Sequence, residues 1–546
     1  MLAGMLGESY PLFAVELPGA ADINRMKPPP NAPSLPPLMP ESTLPPLPEA
    51  AMPEHAEQIH LTLKHVEIRG VTAFDPDELK GLYAGMLGQD TTLDKVWGIA
   101  GQITDYYRAR GFFLSRAFMP AQTIAGGGVV IQVVEGYVGA VDIPEDLRDN
   151  GLVSESVAMV TSERPLSLMT LESVLLRLND LPGVSLRSVL EPLEGVEGAA
   201  KLTLVHEDKR PDITVQTDNY GTRYLGPYQV TSSYHGALLP FEDTTFTGLS
   251  TLPMSEMRYG GIQQRIPLDF ATDLTLSANH SISAPGYTLS NNNIRGDATE
   301  VSVGVNYSIL RQRQKNLQLH MLLDGLDSAT DLLGTKLARD RVRTLRIGAH
   351  FDYADHWNGV SMCDLTVSRG LATLGASNAH NPDPSRTGAI PDFTKAQATL
   401  SRLQQIDDGI NLFASVMAQK TPDVLYSSEE IGYGGQTYGR AYDTSELTGN
   451  QGIMGMAELR YDGLEDVRGL HAQPYLFYDI GKVWNSAIGQ PKSVSAASAG
   501  LGVRITSDWN VSADFTVAEP LTRPQAAPIT GNGNSPRFLV KFTFNF

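Results

Sequence analysis

Two patterns of apolar and polar positions divide the chain, and the change from one to the other falls near Pro211. Before it, apolar residues recur at helical spacing between short strand-like runs. After it, apolar and polar residues alternate, most clearly over residues 301–309, 345–353 and 511–517. Strict alternation is typical of β-strands with one apolar and one polar face. The second part is therefore predicted to be a β-sheet of many strands.

The part before Pro211 is predicted to contain two copies of one small α/β module. The first copy runs β-α-α-β-β, with elements over residues 61–68, 75–87, 91–110, 112–119 and 129–135. Its longer helix is the clearest element, because Val96, Ile99 and Ile103 recur at helical spacing and Gly111 follows. The second copy repeats the order less clearly, with elements near residues 138–143, 153–160, 168–181, 185–193 and 200–205.

The alternating part fits either a soluble β-sandwich or a transmembrane β-barrel. A sandwich of this length would break into domains. The end of the chain favours the barrel, because apolar side chains occupy one face up to the last residue, at Phe538, Val540, Phe542, Phe544 and Phe546. An apolar edge of this kind would make a soluble protein aggregate. It resembles the assembly signal of bacterial outer-membrane barrels, for which Phe542, Phe544 and Phe546 are the candidate residues.

Prolines distinguish the segment that precedes the first module. Residues 28–53 hold eleven prolines, which predicts a semi-rigid polyproline II spacer, with a disordered tail as the alternative. The longest apolar run near the N-terminus, residues 12–15, ends at Glu16 and follows no basic region. Either a signal peptide has been removed or this start is misassigned. No run in the sequence reaches the roughly eighteen apolar residues of a membrane helix.

Composition and missing motifs argue against several functions. The formal net charge of -19 argues against nucleic-acid binding. The single cysteine, Cys363, excludes an internal disulfide framework and a cysteine-type zinc site. The sequence has no P-loop, no HExxH pair and no Gly-x-Ser-x-Gly elbow, and the acid pair Glu429-Glu430 is interpreted as part of a solvated loop. No enzymatic activity, no cofactor and no metal site are therefore expected.

Several stretches together carry a family resemblance. They are ADINR (21–25), YYRARGF (106–112), MPAQ (119–122), VVEG (133–136), TDNYG (217–221) and residues 474–484. With these stretches in this order and spacing, the chain resembles the outer-membrane transporters of two-partner secretion. That family is the TpsB-type haemolysin secretion/activation family, and the resemblance extends over nearly the whole chain from about Gly19.

The resemblance implies α+β periplasmic POTRA modules followed by an antiparallel transmembrane β-barrel of sixteen strands. The expected domains are an N-terminal segment (1–27), a proline-rich linker (28–57), POTRA domain 1 (58–137), POTRA domain 2 (138–210) and the barrel (211–546). A plug helix in the N-terminal segment is expected to be short, at most residues 20–27, because Pro11 and Pro18 interrupt the sequence before it.

The family also carries a loop that folds into the pore, with a tip motif usually written Val-Arg-Gly-Tyr. The literal Val467-Arg468-Gly469 is interpreted instead as a short periplasmic turn, because predicted strands flank it closely. The motif is expected one strand earlier, in the glycine-rich stretch over residues 432–452. There it consists of Gly439, Arg440, Ala441 and Tyr442, with alanine where the family has glycine.

The strand over residues 475–480 is expected to receive the loop arginine. Its alternation puts apolar side chains on the lipid face and leaves Phe477 and Asp479 in the lumen. A guanidinium and a carboxylate in a confined lumen favour a bidentate pair. The resemblance implies that this Phe-x-Asp motif binds Arg440. Two separately solvated charges are the alternative.

The resemblance implies an outer-membrane translocator that recognises and exports a large partner exoprotein, with its N-terminal domains in the periplasm. The expected partners are an exoprotein bearing an N-terminal secretion domain, the barrel-assembly machinery and outer-membrane lipid. Phe112, Leu114 and Gln122 of the first module are the candidate partner-binding residues. A barrel-assembly factor and a passive porin are the alternatives. The first usually carries more modules and no proline-rich linker, and the second needs no periplasmic modules.

Overall fold

The computed structural model describes residues 18–22, 52, 55–124, 126–208, 210–239, 241–252, 254–486, 490–529 and 531–546. Nearly all of the predicted linker and most of the predicted N-terminal segment lie outside these residues. The chain divides into two compact units. Of the described residues, one unit contains those between 52 and 208 together with 311–313, and the other contains 18–22 and those from 210 to 310 and from 314 to 546.

The first unit begins with a small α/β module. Its elements are β1 (His60–Thr62), β2 (His65–Arg69), α1 (Pro76–Leu79), β3 (Asp90–Thr92), α2 (Leu93–Ala109), β4 (Arg116–Phe118) and β5 (Gly128–Val134). Strand β5 is central in a three-stranded sheet, parallel to β2 and antiparallel to β4. Strands β1 and β3 form a separate pair.

Two elements of this module are shorter than predicted. The helix expected over residues 75–87 is one α-helical turn followed by 3-10 turns, because Gly81 and Gly85 lower its helix propensity. The strand expected over residues 112–119 pairs only along β4, since the residues before it form a turn. The local pattern of apolar residues predicts neither the early end of the helix nor the turn before the strand.

The core of this module is formed by α2 packed against β5. Val96, Ile99 and Ile103 of α2 are buried in one cluster with Val129 and Ile131 of β5. Burying an aliphatic side chain of this size contributes about 1.5–3 kcal/mol. The apolar face of α2, which recurs at the helical period, therefore packs on the apolar face of β5, which recurs at every second residue, and this contact stabilises the module.

The second module repeats this topology. Its elements are β6 (Tyr137–Asp142), α3 (Gly151–Ser162), α4 (Leu168–Asn179), β7 (Val184–Pro192) and β8 (Ala199–Asp208). The last strand is again central, with β8 parallel to β6 and antiparallel to β7. Asn150 and Ser167 cap the two helices by accepting backbone N–H groups of the first turn. Both modules thus share one strand order.

Among the described residues, sixteen strands close into one antiparallel barrel. The first eleven are β9 (Asp212–Asp218), β10 (Tyr228–Leu239), β11 (Glu242–Leu252), β12 (Met257–Pro267), β13 (Thr272–Ser283), β14 (Arg295–Arg311), β15 (Lys315–Leu332), β16 (Thr335–Asp355), β17 (Gly359–Gly370), β18 (Thr394–Asp407) and β19 (Ile410–Lys420). A hairpin outside the barrel sheet follows, formed by β20 (Ile431–Tyr433) and β21 (Leu447–Gly449). The last five are β22 (Gln451–Tyr461), β23 (Leu470–Trp484), β24 (Ser493–Ser507), β25 (Val511–Pro520) and β26 (Arg537–Asn545). The predicted fold class is confirmed.

Side chains along each barrel strand alternate between the outer and the inner face. On β23, Leu476 and Ile480 are 57% and 50% exposed, whereas Phe477 and Asp479 are 5% and 0% exposed. The outer face therefore offers apolar side chains to lipid and the inner face carries the polar ones. Within the described residues, none of the helices combines the length and the apolar character needed to cross a bilayer.

The terminal strand β26 closes the barrel by pairing with β25 on one side and β9 on the other. Both of its backbone edges are consequently paired, so neither is a free edge. Phe542 and Phe544 lie within the strand, and Phe546 follows it and donates its backbone N–H to Ile213 O at 2.9 Å.

Candidate functional site: a charged loop inside the barrel

The segment between β19 and β22, residues 421–450, folds into the barrel, and we call it the pore loop. Its side chains Tyr433 and Tyr442 are fully buried, in one cluster with Phe477 and Val483 on the inner face of β23. The glycine-rich stretch is thus packed against the barrel wall rather than exposed to solvent.

Glycines shape the part of the pore loop that carries the predicted motif. Gly434, Gly435 and Gly439 have φ values of 119°, 103° and 84°, in a region that other residues rarely adopt. A Cβ atom on Gly439 would also lie 2.7 Å from the Tyr433 ring. Ala441 is fully buried and outside that left-handed region, so the alanine at this place fits the backbone.

Arg440 lies at the centre of a buried group of charges. Its backbone N–H donates to Asp479 Oδ2 at 3.0 Å, and its guanidinium donates to both Asp479 oxygens at 3.2 and 3.1 Å. A further guanidinium nitrogen donates to Glu458 Oε2 at 2.6 Å. The guanidinium carbon lies 3.7 Å from the centre of the Phe477 ring. The structure thus brings the predicted loop arginine and the predicted strand motif together.

Glu458 is the member of this site that the sequence analysis missed. One of its oxygens accepts from Arg440, and the other accepts from Arg460 and Arg504, each at 2.8 Å. Its position could have been inferred, because the alternation of β22 puts it on the inner face, and it lies opposite Phe477 in the β22–β23 register. Three guanidiniums therefore share one carboxylate.

Tyrosines hold the rest of the loop tip to the wall. The Tyr442 hydroxyl donates to the carbonyl oxygens of Ala497 and Arg523, both at 3.1 Å. The hydroxyls of Tyr438 and Ser415 lie 2.7 Å apart. The hydroxyls of Tyr442 and Tyr438 thus both have polar partners, as desolvated groups require.

The interpretation of Glu429-Glu430 as a solvated acid pair is wrong. Glu429 is buried between Arg346 and Lys395 of the barrel wall, with closest oxygen–nitrogen distances of 2.8 Å to each. Glu430 lies 2.9 Å from the buried Arg386. Within the described residues, no group of three His, Cys, Asp or Glu side chains could hold a metal ion. These carboxylates instead bind cationic side chains.

The described part of the N-terminal segment, residues 18–22, contacts the pore loop. It forms a 3-10 turn, Gly19–Ala21, whose Ala20 carbonyl accepts a hydrogen bond from the Thr222 hydroxyl at 2.8 Å. Gly19 packs tightly enough that a Cβ atom there would lie 2.6 Å from Thr448. Residues 23–27 of the expected plug helix lie outside the described residues.

The look-alike motif around Arg468 lies in the turn between β22 and β23. Val467 and Leu470 bond each other through both backbone N–H groups at 3.1 Å, and Arg468 has a φ of 55°. This short turn matches the interpretation made from the sequence.

The candidate partner-binding residues have contacts inside the first module. The rings of Phe112 and Phe74 have their centres 5.5 Å apart, edge to face. The Gln122 amide donates to Val130 O at 2.7 Å and accepts from Val130 N at 2.8 Å. Leu114 is half-buried. Binding of a partner by these three residues stays a prediction.

Glu135, in the VVEG stretch, ties two parts of the first module together. Its carboxylate accepts from the Thr72 and Ala73 backbone N–H groups at 2.7 and 2.9 Å, from the Thr72 hydroxyl, and from the Tyr107 hydroxyl at 2.7 Å. Desolvation raises the pKa of Glu135, but the hydrogen bonds outweigh it and hold that pKa below its usual value. Burial and the adjacent Glu135 raise the pKa of Tyr107.

Comparison with known families gives two matches. A sequence profile described as haemolysin secretion/activation protein ShlB/FhaC/HecB matches residues 200–505, more than half of the chain. A profile for the ShlB-type POTRA domain matches residues 61–136.

Individual proteins resemble the chain over most of its length. The outer membrane transporter CdiB of Dickeya dadantii (strain 3937) is 22% identical over 478 residues, covering 85% of this chain and 83% of that protein. The heme/hemopexin transporter protein HuxB of Haemophilus influenzae is 22% identical over 460 residues, covering 82% and 80%. The solved structure of CdiB from Escherichia coli matches with a TM-score of 0.72 at 20% identity, covering 92% of this chain and 93% of that one.

Proposed function

The chain belongs to the haemolysin secretion/activation protein family of ShlB, FhaC and HecB, and we propose that its cargo is a large exoprotein that carries an N-terminal secretion domain. The protein is an outer-membrane transporter of two-partner secretion, with periplasmic POTRA domains before its barrel. Its family consists of transporters rather than enzymes. In this proposal the cargo crosses the membrane through the barrel lumen, and the pore loop is the gate.

The docked pore loop is the observation that carries the gate proposal. Its tip fills part of the lumen and is held there by Arg440 between Asp479 and Glu458. An extended polypeptide needs that space, so the tip has to leave during export. Charged groups at a lumen wall can exchange their partners for water when the tip leaves, whereas an apolar contact would lose its burial. Arg440 is therefore proposed as the releasable anchor of the gate.

Recognition of the cargo is proposed for two POTRA domains, residues 58–137 and 138–210. In the described sheets, β2 and β4 are the edges of the first and β6 and β7 are the edges of the second. An edge strand can bind an extended peptide as one more strand, so that backbone hydrogen bonds supply the affinity. Phe112, Leu114 and Gln122 are proposed to contact the secretion domain of the cargo.

Assembly and membrane contact complete the proposal. The terminal residues Phe542, Phe544 and Phe546 are proposed as the signal read by the barrel-assembly machinery. Outward side chains such as Leu476 and Ile480 support contact with outer-membrane lipid, because they are exposed and apolar.

Deletion of residues 59–136 tests the recognition step. The variant is co-produced with the exoprotein that the wild-type protein exports, and secreted cargo is measured in the medium by immunoblotting. We expect export to be lost while the barrel still inserts, which heat-modifiable migration in gel electrophoresis reports. Arg468→Ala, in the look-alike turn, serves as the control with normal export. Export of the deletion variant at the wild-type rate would contradict recognition by this domain.

A further inference from the structure

We propose that Glu429 is a positioning residue that fixes the base of the pore loop to the barrel wall, so that only the tip moves when the pore opens. The base consists of residues 427–430 and Asn450, and the tip consists of residues 434–443. The inference rests on the proposed gate function and adds which part of the gate moves.

Glu429 joins the loop to cations on two barrel strands. Its carboxylate lies 2.8 Å from Arg346 on β16 and 2.8 Å from Lys395 on β18, and its side chain is 4% exposed. The Lys395 ammonium also donates to the Glu429 backbone carbonyl at 2.9 Å. Arg346 binds Asp324 of β15 as well, at 2.8 Å. The cluster therefore holds two cations and two carboxylates, all on or against the wall.

The C-terminal end of the pore loop, at Asn450, is bound to the same part of the barrel wall. Gln419 of β19 donates its amide to the backbone carbonyls of both Glu429 and Asn450, each at 3.0 Å. The Asn450 side-chain oxygen accepts from Leu425 N at 3.1 Å and from Arg386 at 2.5 Å. Asn450 and Arg386 are both buried. Entry and exit of the pore loop thus share one polar network, which a movement of the base would break.

The two anchors differ in what they leave behind. When Arg440 departs, Glu458 retains Arg460 and Arg504 at 2.8 Å, and Asp479 retains the hydroxyl of Ser498 at 3.3 Å. When Glu429 departs, the Lys395 ammonium loses its carboxylate. Among the described residues, it keeps one hydrogen-bond acceptor, the side-chain oxygen of Gln419 at 3.4 Å. An ammonium left buried without a carboxylate is strongly unfavourable. Release of the base would therefore leave a buried cation without an anion, and it would also break the Gln419 bonds that join both ends of the loop.

A pair of glycines lies where the tip meets the base. Gly434 and Gly435 follow strand β20 directly, with φ values of 119° and 103°. Hinges form where a few residues absorb large changes of φ and ψ, and small residues suit this task. The tip can then swing about these glycines while hairpin β20–β21 and Glu429 stay in place.

Distance measurements between spin labels test this division. The native cysteine is first removed by Cys363→Ser. The base is labelled through Ser428→Cys and the tip through Thr437→Cys, each in turn with Glu465→Cys in the β22–β23 turn as reference. Pulsed electron paramagnetic resonance then gives the two distances in the purified full-length protein, with and without Arg440→Ala.

We expect Arg440→Ala to broaden and shift the tip distance and to leave the base distance as a single narrow peak. Glu429→Gln should broaden the base distance, whereas Asp364→Asn, a lumenal control that removes a carboxylate bonded to His350 at 2.6 Å, should change neither. A base distance that broadens together with the tip in Arg440→Ala would overturn the inference and leave the gate intact. If Arg440→Ala moves neither label, the gate proposal itself fails.

Exchanging the charges of Glu429 and Lys395 tests whether Glu429 positions the base or only contributes to the stability of the barrel. Lys395→Glu adds a third carboxylate to the cluster of Glu429 and Asp324. The base should then detach, and the distance between the base label and the reference label should broaden. Combining it with Glu429→Lys restores one opposite pair, and the narrow base distance should return in a barrel that stays heat-modifiable. A broad base distance that persists in the exchanged variant would overturn the assignment of Glu429.

Discussion

Removing the Arg440 side chain perturbs the gate at one defined point. Arg440→Ala deletes three side-chain hydrogen bonds to carboxylates, with donor–acceptor distances of 2.6–3.2 Å. The backbone contact of residue 440 with Asp479 remains available. The barrel strands do not change, because the barrel's own pairing does not involve the loop. The variant should therefore insert normally while its loop tip is loosely held.

The size of the effect follows from what each carboxylate retains. Breaking a fully buried ion pair by removing one partner costs about 3–5 kcal/mol. The cost here belongs at the lower end, because Glu458 keeps two guanidiniums and Asp479 keeps a hydrogen bond from the Ser498 hydroxyl at 3.3 Å. A cost of about 3 kcal/mol changes the ratio of released to docked tip roughly a hundredfold.

Two measurements report this change. In planar bilayers, large opening events of Arg440→Ala should be roughly a hundredfold more frequent than in the wild type. In cells, export of the cargo should fall sharply, because a tip that is released before the cargo arrives no longer opens the pore in step with it. Asp479→Ala should be milder, since Arg440 retains Glu458, and the double variant should resemble Arg440→Ala because the two residues share one interaction.

The control is the other arginine in a similar local sequence. Arg468→Ala should export normally and open no more often than the wild type. If Arg468 proved essential for export while Arg440 proved dispensable, the pore loop would have been assigned one strand too early. If the Arg440→Ala barrel inserts correctly and opens only as often as the wild type, Arg440 is not the anchor of the tip.

Three further variants are expected to give defined results. Deleting residues 434–443 should raise single-channel conductance and antibiotic entry, and unchanged conductance would mean that the tip does not fill the pore. Gly19→Val should displace the N-terminal segment, because a side chain there meets Thr448, and protease accessibility of the segment should rise without loss of the barrel. Glu135→Gln should destabilise the first module by about 1 kcal/mol at neutral pH, measured by thermal unfolding. Since the folded pKa of Glu135 is lowered, this contribution is present at neutral pH and is lost as the pH falls through that pKa, so the two proteins should converge in acid.

Local periodicity explains why the barrel was predictable. Alternation is a property of neighbouring residues, and it separates lipid-facing from lumenal side chains without knowledge of the rest of the fold. The same rule put Phe477 and Asp479 on the inner face of β23. The core of the first module was predictable for a similar reason, because Val96, Ile99 and Ile103 form one stripe of α2.

Contacts between distant segments were harder to predict. Whether Glu429 is solvated depends on where the chain returns after β19, and nothing in its local sequence gives the position of Arg346 or Lys395. The alternation of β22 predicts that Glu458 faces the lumen. That it binds Arg440 could be predicted only from the register of β22 and β23, which puts it opposite Phe477. Acid pairs in loops are usually solvated, so that interpretation was reasonable from sequence and wrong for this fold.

Holding a gate with charges has a consequence for the cargo. When the tip leaves, the wall it uncovers around the site of Arg440 carries Asp479, Glu458, Arg460 and Arg504, and Glu458 still accepts from both of these arginines. The charged groups of this wall are satisfied by their own contacts and by water, and the apolar surface beside them comes from side chains such as Phe477 and Val483. An apolar wall would instead bind each apolar segment of the cargo by about 25 cal/mol per Å² buried and retain it in the pore. The charged part of the uncovered wall therefore limits how firmly an extended chain is held as it passes.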